Sequence, residues 1–131
     1  MGKILLIDDD PAFTRFLSAY IADNFPLLQV ETCNNPMSGL HSIKNGGYDL
    51  MLIDLEMPSM DGLKLLKFAV DSGMDKNRIV ILSGRDADFL HGICPMGTCL
   101  AVLNKFEVRQ KSVLDMVFNS LHRKAGAADS I

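Results

Sequence analysis

Five short apolar runs punctuate the chain: ILLI at 4–7, LLQV at 27–30, LMLI at 50–53, IVIL at 79–82 and LAVL at 100–103. Each is of strand length and bounded by polar or turn-forming residues, so each predicts a β-strand. Between them, apolar residues recur every three or four positions, the period of a helix with one face on a core. Strand and helix units alternating in this way predict an α/β fold around a parallel sheet. Leu28, Gln29, Val30, Glu31 and Thr32 alternate in polarity, as at a sheet edge, whereas the other runs are continuously apolar, as in strands covered on both faces. The contrast predicts a doubly wound five-stranded parallel sheet in the order 2-1-3-4-5.

The helices carry their own punctuation. Pro11 opens the first, with Phe13, Phe16, Leu17, Tyr20 and Ile21 on one face, and Pro26 closes that unit. The second is expected from Pro36, after Asn35, to Gly46-Gly47, with Leu40 and Ile43 inward. Asp61 is placed to cap the third, whose stripe is Leu63, Leu66 and Val70 and whose stop is Gly73. A weaker, mobile fourth helix spans about 87–94, interrupted by Gly92 and ended by Pro95. The fifth runs from about Val108 to Arg123, with Val113, Leu114, Val117 and Leu121 facing the core. This gives one domain over residues 1–124, then a flexible tail or the start of a linker at 125–131.

Composition narrows the function. At 131 residues, with 48% hydrophobic and 22% charged residues, the chain can bury a core without a metal or disulfide staple. A formal net charge of −3 offers no basic footprint for direct nucleic-acid binding. Three unpaired cysteines, Cys33, Cys94 and Cys99, fit reduced, buried thiols and a cytoplasmic location. His91, Cys94 and Cys99 make a poor zinc set, since no second pair stands at ligand spacing. No apolar run reaches membrane-spanning length, Lys3 enters a strand directly with no room for a targeting segment, and Leu6 stands where a myristoylation signal needs Ser or Thr. No membrane association is expected.

The polar residues that end the apolar runs are more specific. ILLI ends in Asp8-Asp9, LMLI in Asp54, IVIL in Ser83 and LAVL in Asn104-Lys105. In a parallel sheet the carboxyl ends of the strands share one edge, and ligands bind there where the strand order reverses. Crowded carboxylates raise one another's pKa values and need a cation nearby. Lys105 supplies one, and two or three open carboxylates suit Mg²⁺, which keeps several waters and accepts a phosphate oxygen. Asp10 is left over, as a carboxylate at the start of the first helix worth roughly 0.3–1 kcal/mol against the helix dipole.

Taken in order, LLIDDDP, LMLIDLEMPSMDGL, IVILSG and VLNK resemble the signatures of the response-regulator receiver domain, the CheY-type module of two-component signalling. Asp9, Asp54, Ser83 and Lys105 stand 45, 29 and 22 residues apart, matching that family's acid, phosphoacceptor, hydroxyl and lysine. The resemblance implies a flavodoxin-like fold. It also implies that Asp54 takes a phosphoryl group from a sensor histidine kinase or histidine phosphotransfer protein. Asp9 would bind Mg²⁺ directly, Asp8 mostly through water, with Asp54 itself and the backbone carbonyl of Glu56 completing the metal shell. Lys105 would pair with Asp54 and then its phosphate, and Ser83 would bond a phosphate oxygen. Such a domain is a phosphorylation-dependent switch rather than an enzyme acting on a separate substrate. Its downstream effector, or a second copy, is expected on the face of helix four, strand five and helix five.

Three positions depart from the family pattern. Phe106 comes after Lys105 where proline is usual, so a trans peptide is expected there. Val102 replaces the common Tyr or Phe three residues before the lysine, leaving signalling to backbone movement of the Ser83 loop and helix four, or to an apolar surface read in both states. Gly84 replaces the commoner alanine, which should leave the phosphate more open to water and partners. These departures make a pseudo-receiver conceivable, though the acidic set is complete. A haloacid dehalogenase-type phosphatase would place its nucleophile in the first motif, opposite to the order here.

Overall fold

The computed structural model describes residues 2–58, 60–85, 87–95, 97–106 and 108–129. Five strands, β1 (Gly2–Ile7), β2 (Leu28–Cys33), β3 (Leu50–Asp54), β4 (Ile79–Ser83) and β5 (Ala101–Asn104), form one parallel sheet in the order β2-β1-β3-β4-β5. The helices are α1 (Pro11–Asn24), α2 (Pro36–Asn45), α3 (Gly62–Asp71), α4 (Ala87–Ile93) and α5 (Val108–Asp129). The expected fold class and strand order are therefore observed. Strands β3 and β4 are buried throughout, while β2 leaves Gln29, Glu31 and Thr32 exposed, as a strand at a sheet edge does.

Side chains alternate across the sheet and feed two cores. Ile4, Leu6, Leu52, Val80 and Leu82 meet Leu17 and Ile21 of α1 and Phe118 of α5. Leu5, Ile7, Ile53 and Ile81 meet Ile43 of α2, Leu65, Leu66 and Ala69 of α3, and Leu90 of α4. Helix starts obey the capping rules read from sequence. Asp10, Asn35 and Asp61 accept backbone N–H groups at the starts of α1, α2 and α3. Gly46 and Gly73, with φ of 69° and 105°, take the left-handed turns after α2 and α3.

Several helix faces differ from expectation. Phe16 is 61% exposed and stacks on Tyr20 at the surface, while Thr14 joins Leu17 and Ile21 on the inner face of α1. In α3 Val70 is exposed and Leu65 and Ala69 are buried. In α5 Val113 is exposed and Phe118 is fully buried. Helix α5 also continues past Arg123 to Asp129, with Ala125 in the core beside β1, so residues 125–129 are helical rather than an irregular tail. All three cysteines are free and buried, and burial pushes the Cys94 thiol up and the Cys99 thiol up to about 11, which suits packing rather than ligation. The side chain of His91 lies outside the described residues. The Lys105–Phe106 peptide is trans. No helix among the described residues is long and apolar enough to cross a membrane.

Candidate functional site

The parallel register brings the ends of β1, β3, β4 and β5 to one edge. Asp54 closes β3 beside Leu82 of β4, and Ser83 pairs with Asn104 at the ends of β4 and β5. Asp8 and Asp9 leave β1 next door, where β1 lies between β2 and β3 and consecutive connections turn to opposite faces of the sheet. Carboxylate oxygens of Asp8, Asp9 and Asp54 all lie within 4.8 Å of one another. Asp8 is fully buried and Asp54 is 2% exposed, while Asp9 is half-buried at the mouth.

Backbone turns hold these acids in place. The Asp10 N–H donates to Asp8 Oδ1 at 2.9 Å, and the Glu56 N–H donates to Asp54 Oδ1 at 3.2 Å. Asp10 turns away to the start of α1, as expected, and there acts as its N-cap, accepting from the Ala12 and Phe13 N–H groups. Lys105 Nζ lies 2.6 Å from Asp8 Oδ2 and 3.4 Å from Asp54 Oδ1, with the Phe13 ring 4.7 Å away. The lysine expected on Asp54 thus sits closest to Asp8 and bridges both. Burial pushes the Lys105 ammonium down, but the hydrogen bond to Asp8 and the charges of Asp54 and Asp8 outweigh it, and its pKa is raised.

Asp54 responds in the opposite sense. Burial, and then the charge of Asp8, push its carboxyl from the ordinary 3.8 up to about 7, against the opposing pull of Lys105 and the Glu56 N–H. One cation beside three clustered acids leaves an excess of negative charge. Hard carboxylate oxygens in an incomplete cage fit Mg²⁺, which binds through a few such ligands and retains water.

Ser83 is fully buried at the end of β4. Its hydroxyl donates to Glu56 Oε1 at 2.5 Å and accepts the Arg85 N–H at 2.9 Å. Sequence reasoning singled out the Glu56 carbonyl and missed its side chain, whose reach across to β4 leaves no trace in residue spacing. The flanking loops are joined as well: Lys105 N–H donates to the Ser83 carbonyl, and the Asn104 amide joins the Arg85 carbonyl to the Phe106 N–H. Phe106, 74% exposed, lies against Gly84, where an added Cβ would meet its ring at 3.4 Å. Gly84 therefore faces an aromatic ring on one side.

The sequence model described as Response regulator receiver domain matches residues 4–111. The chain belongs to this family, the phosphoacceptor module of two-component signalling. It is 39% identical over 67 residues to a transcriptional regulatory protein, a CpxR homolog, of Haemophilus influenzae, covering 51% of this chain and 28% of that protein. It is 25% identical over 130 residues to the probable C4-dicarboxylate response regulator DctR of Bacillus subtilis, covering 98% of this chain and 57% of that protein. The chain thus spans roughly half or less of the length of these relatives. Among solved structures, the response regulator TrrA of Thermotoga maritima, in complex with Mg²⁺-BeF, superposes with a TM-score of 0.76 at 20% identity, over 92% of this chain and 99% of that one. The receiver domain of a Pseudomonas aeruginosa sensor histidine kinase, with magnesium coordinated in its active-site cleft, gives 0.74 at 19% identity, over 93% and 98% of the two chains.

Proposed function

We propose that Asp54 is the phosphoacceptor of a switch that receives its phosphoryl group from the phosphohistidine of a sensor kinase or phosphotransfer protein. The observation that carries this reading is the convergence of Asp8, Asp9 and Asp54 with Lys105 at one sheet edge. An Asp54 oxygen attacks phosphorus, the new O–P bond forms as the P–N bond breaks, and the donor imidazole leaves with the electron pair. Lys105 balances charge on Asp54 and on the transferring oxygens, and Ser83 offers a hydroxyl to one of them. Asp8, Asp9, Asp54 and the Glu56 carbonyl would hold Mg²⁺, which supplies further positive charge to those oxygens when bound. The burial of Asp54 excludes water, so the nucleophile acts only on a donor that enters the cleft.

The domain takes in the whole of α5, acts on no separate substrate and works in the cytoplasm. Its output face is α4, β5 and α5: β5 is an open sheet edge, Leu100 before it is exposed, and so are Val113 and Met116 of α5. Incubation with Mg²⁺ and a small phosphodonor, then intact mass measurement, tests the reading. One phosphoryl adduct is expected on the wild type and none on Asp54→Asn, and equal labelling of both proteins would remove Asp54 from its role.

A further inference from the structure

The Ser83 hydroxyl has one proton to donate, and in this structure Glu56 holds it. We infer that the Glu56 side chain is a positioning residue, a latch that occupies the Ser83 proton until a phosphoryl group on Asp54 displaces it. This rests on the phosphoacceptor reading of Asp54 and adds a competitor for the hydroxyl it uses.

Three features support the latch. Ser83 is fully buried, so no solvent shell stands ready to take over either of its hydrogen bonds. The Glu56 partner is a carboxylate, so the bond is charge-assisted, and the Arg85 N–H donates to the same hydroxyl, fixing the rotamer from the other side. Glu56 is itself exposed and only two residues from Asp54, so its carboxylate can leave for water at little cost. A phosphoryl group arriving at Asp54 brings negative charge toward that carboxylate and offers Ser83 a competing acceptor. Both effects drive Glu56 outward and release Ser83, along with the Arg85 amide tied to it.

The exchange of one acceptor for another opposes phosphorylation by the strength of the Ser83–Glu56 bond. Glu56→Ala deletes the acceptor and Glu56→Gln keeps an acceptor while deleting the charge; both leave the backbone carbonyl in place. In metal-free, unmodified protein, Glu56→Ala should speed hydrogen exchange of the Arg85 amide, and Glu56→Gln should do so less. With Mg²⁺ and beryllium fluoride as the phosphoryl mimic, Glu56→Ala should tighten mimic binding on the order of tenfold. In a Ser83→Ala background the same substitution should change affinity less than about twofold, because the proton being contested is gone.

An equal gain in both backgrounds would mean that Glu56 acts by charge alone, and the latch would be wrong. Unchanged Arg85 exchange in Glu56→Ala would overturn it too, and this arm does not depend on the buried Ser83 variant folding. If wild type and variants alike bind no beryllium fluoride while Arg85 exchange responds as expected, the phosphoacceptor reading fails and the Ser83–Glu56 bond stands.

Discussion

In the proposed role Asp54 meets two demands that pull against each other: a nucleophile must be ionised, yet this carboxyl is buried beside another acid. Its raised pKa makes the folded state bind a proton more tightly than the unfolded chain does. The resulting stabilisation is complete below the ordinary value of 3.8 and is lost as pH rises to about 7. In the presence of a chelator, urea midpoints should therefore fall between about pH 4 and pH 7. Asp54→Asn should flatten that slope and gain stability at pH 7 on the order of a few kcal/mol, at ~1.4 kcal/mol per pKa unit. A profile in which wild type and variant stay parallel would show that the burial of Asp54 carries no such cost. Lys105→Ala acts in the opposite direction. It leaves Asp8 buried without the ammonium 2.6 Å away, so the expected loss is about 3–5 kcal/mol without metal, with Mg²⁺ recovering part of it and phosphorylation still crippled. Sequence identified both residues through their positions after strands. It did not show that Lys105 lies nearer Asp8 than Asp54, because that depends on how deeply each carboxylate sits.

At the scale of elements, α3 is the most tightly constrained against the site. A Cβ on Gly62 would come within 2.4 Å of the Asp54 carbonyl oxygen and 2.9 Å of Leu55 Cα, both backbone atoms with little room to yield. Gly62→Ala should push the start of α3 off the end of β3, costing roughly 1–3 kcal/mol and slowing phosphorylation together. Chemical denaturation and labelling rates measured on the same sample would separate this from a purely local effect. Phe118→Ala is the matching probe of the other layer. Loss of a fully buried ring should cost roughly 3–5 kcal/mol while the Mg²⁺ affinity of the folded fraction is retained. Strands and caps were legible in sequence because runs, proline, glycine and Asp or Asn act locally. Helix faces were less so, since spacings of three and four fit two neighbouring stripes. Phe16, Val70 and Val113 fell on the exposed one, and Phe118 on the buried one.

Across the whole molecule, the strand order was legible from one contrast, the alternation of β2 against the unbroken β3 and β4. The side-chain bridge from β3 to β4 through Glu56 and Ser83 was not, because it joins residues 27 apart through the end of one long side chain. If the proposed output face is used, Val102→Lys should disrupt self-association or partner binding in sedimentation while leaving Asp54 labelling intact. Hydrogen exchange changes on beryllium fluoride binding should concentrate between the end of β4 and the start of α5; changes confined to α1 and α2 would assign output elsewhere. The contact of Phe106 with Gly84 carries a practical consequence. The chain has no tryptophan, so Phe106→Trp would install a single indole against the loop just after Ser83. Excited at the red edge, where Tyr20 and Tyr48 do not absorb, its fluorescence would rise from a dark background. One emission band, tracked in a stopped-flow instrument, would then report how fast that loop answers a phosphodonor.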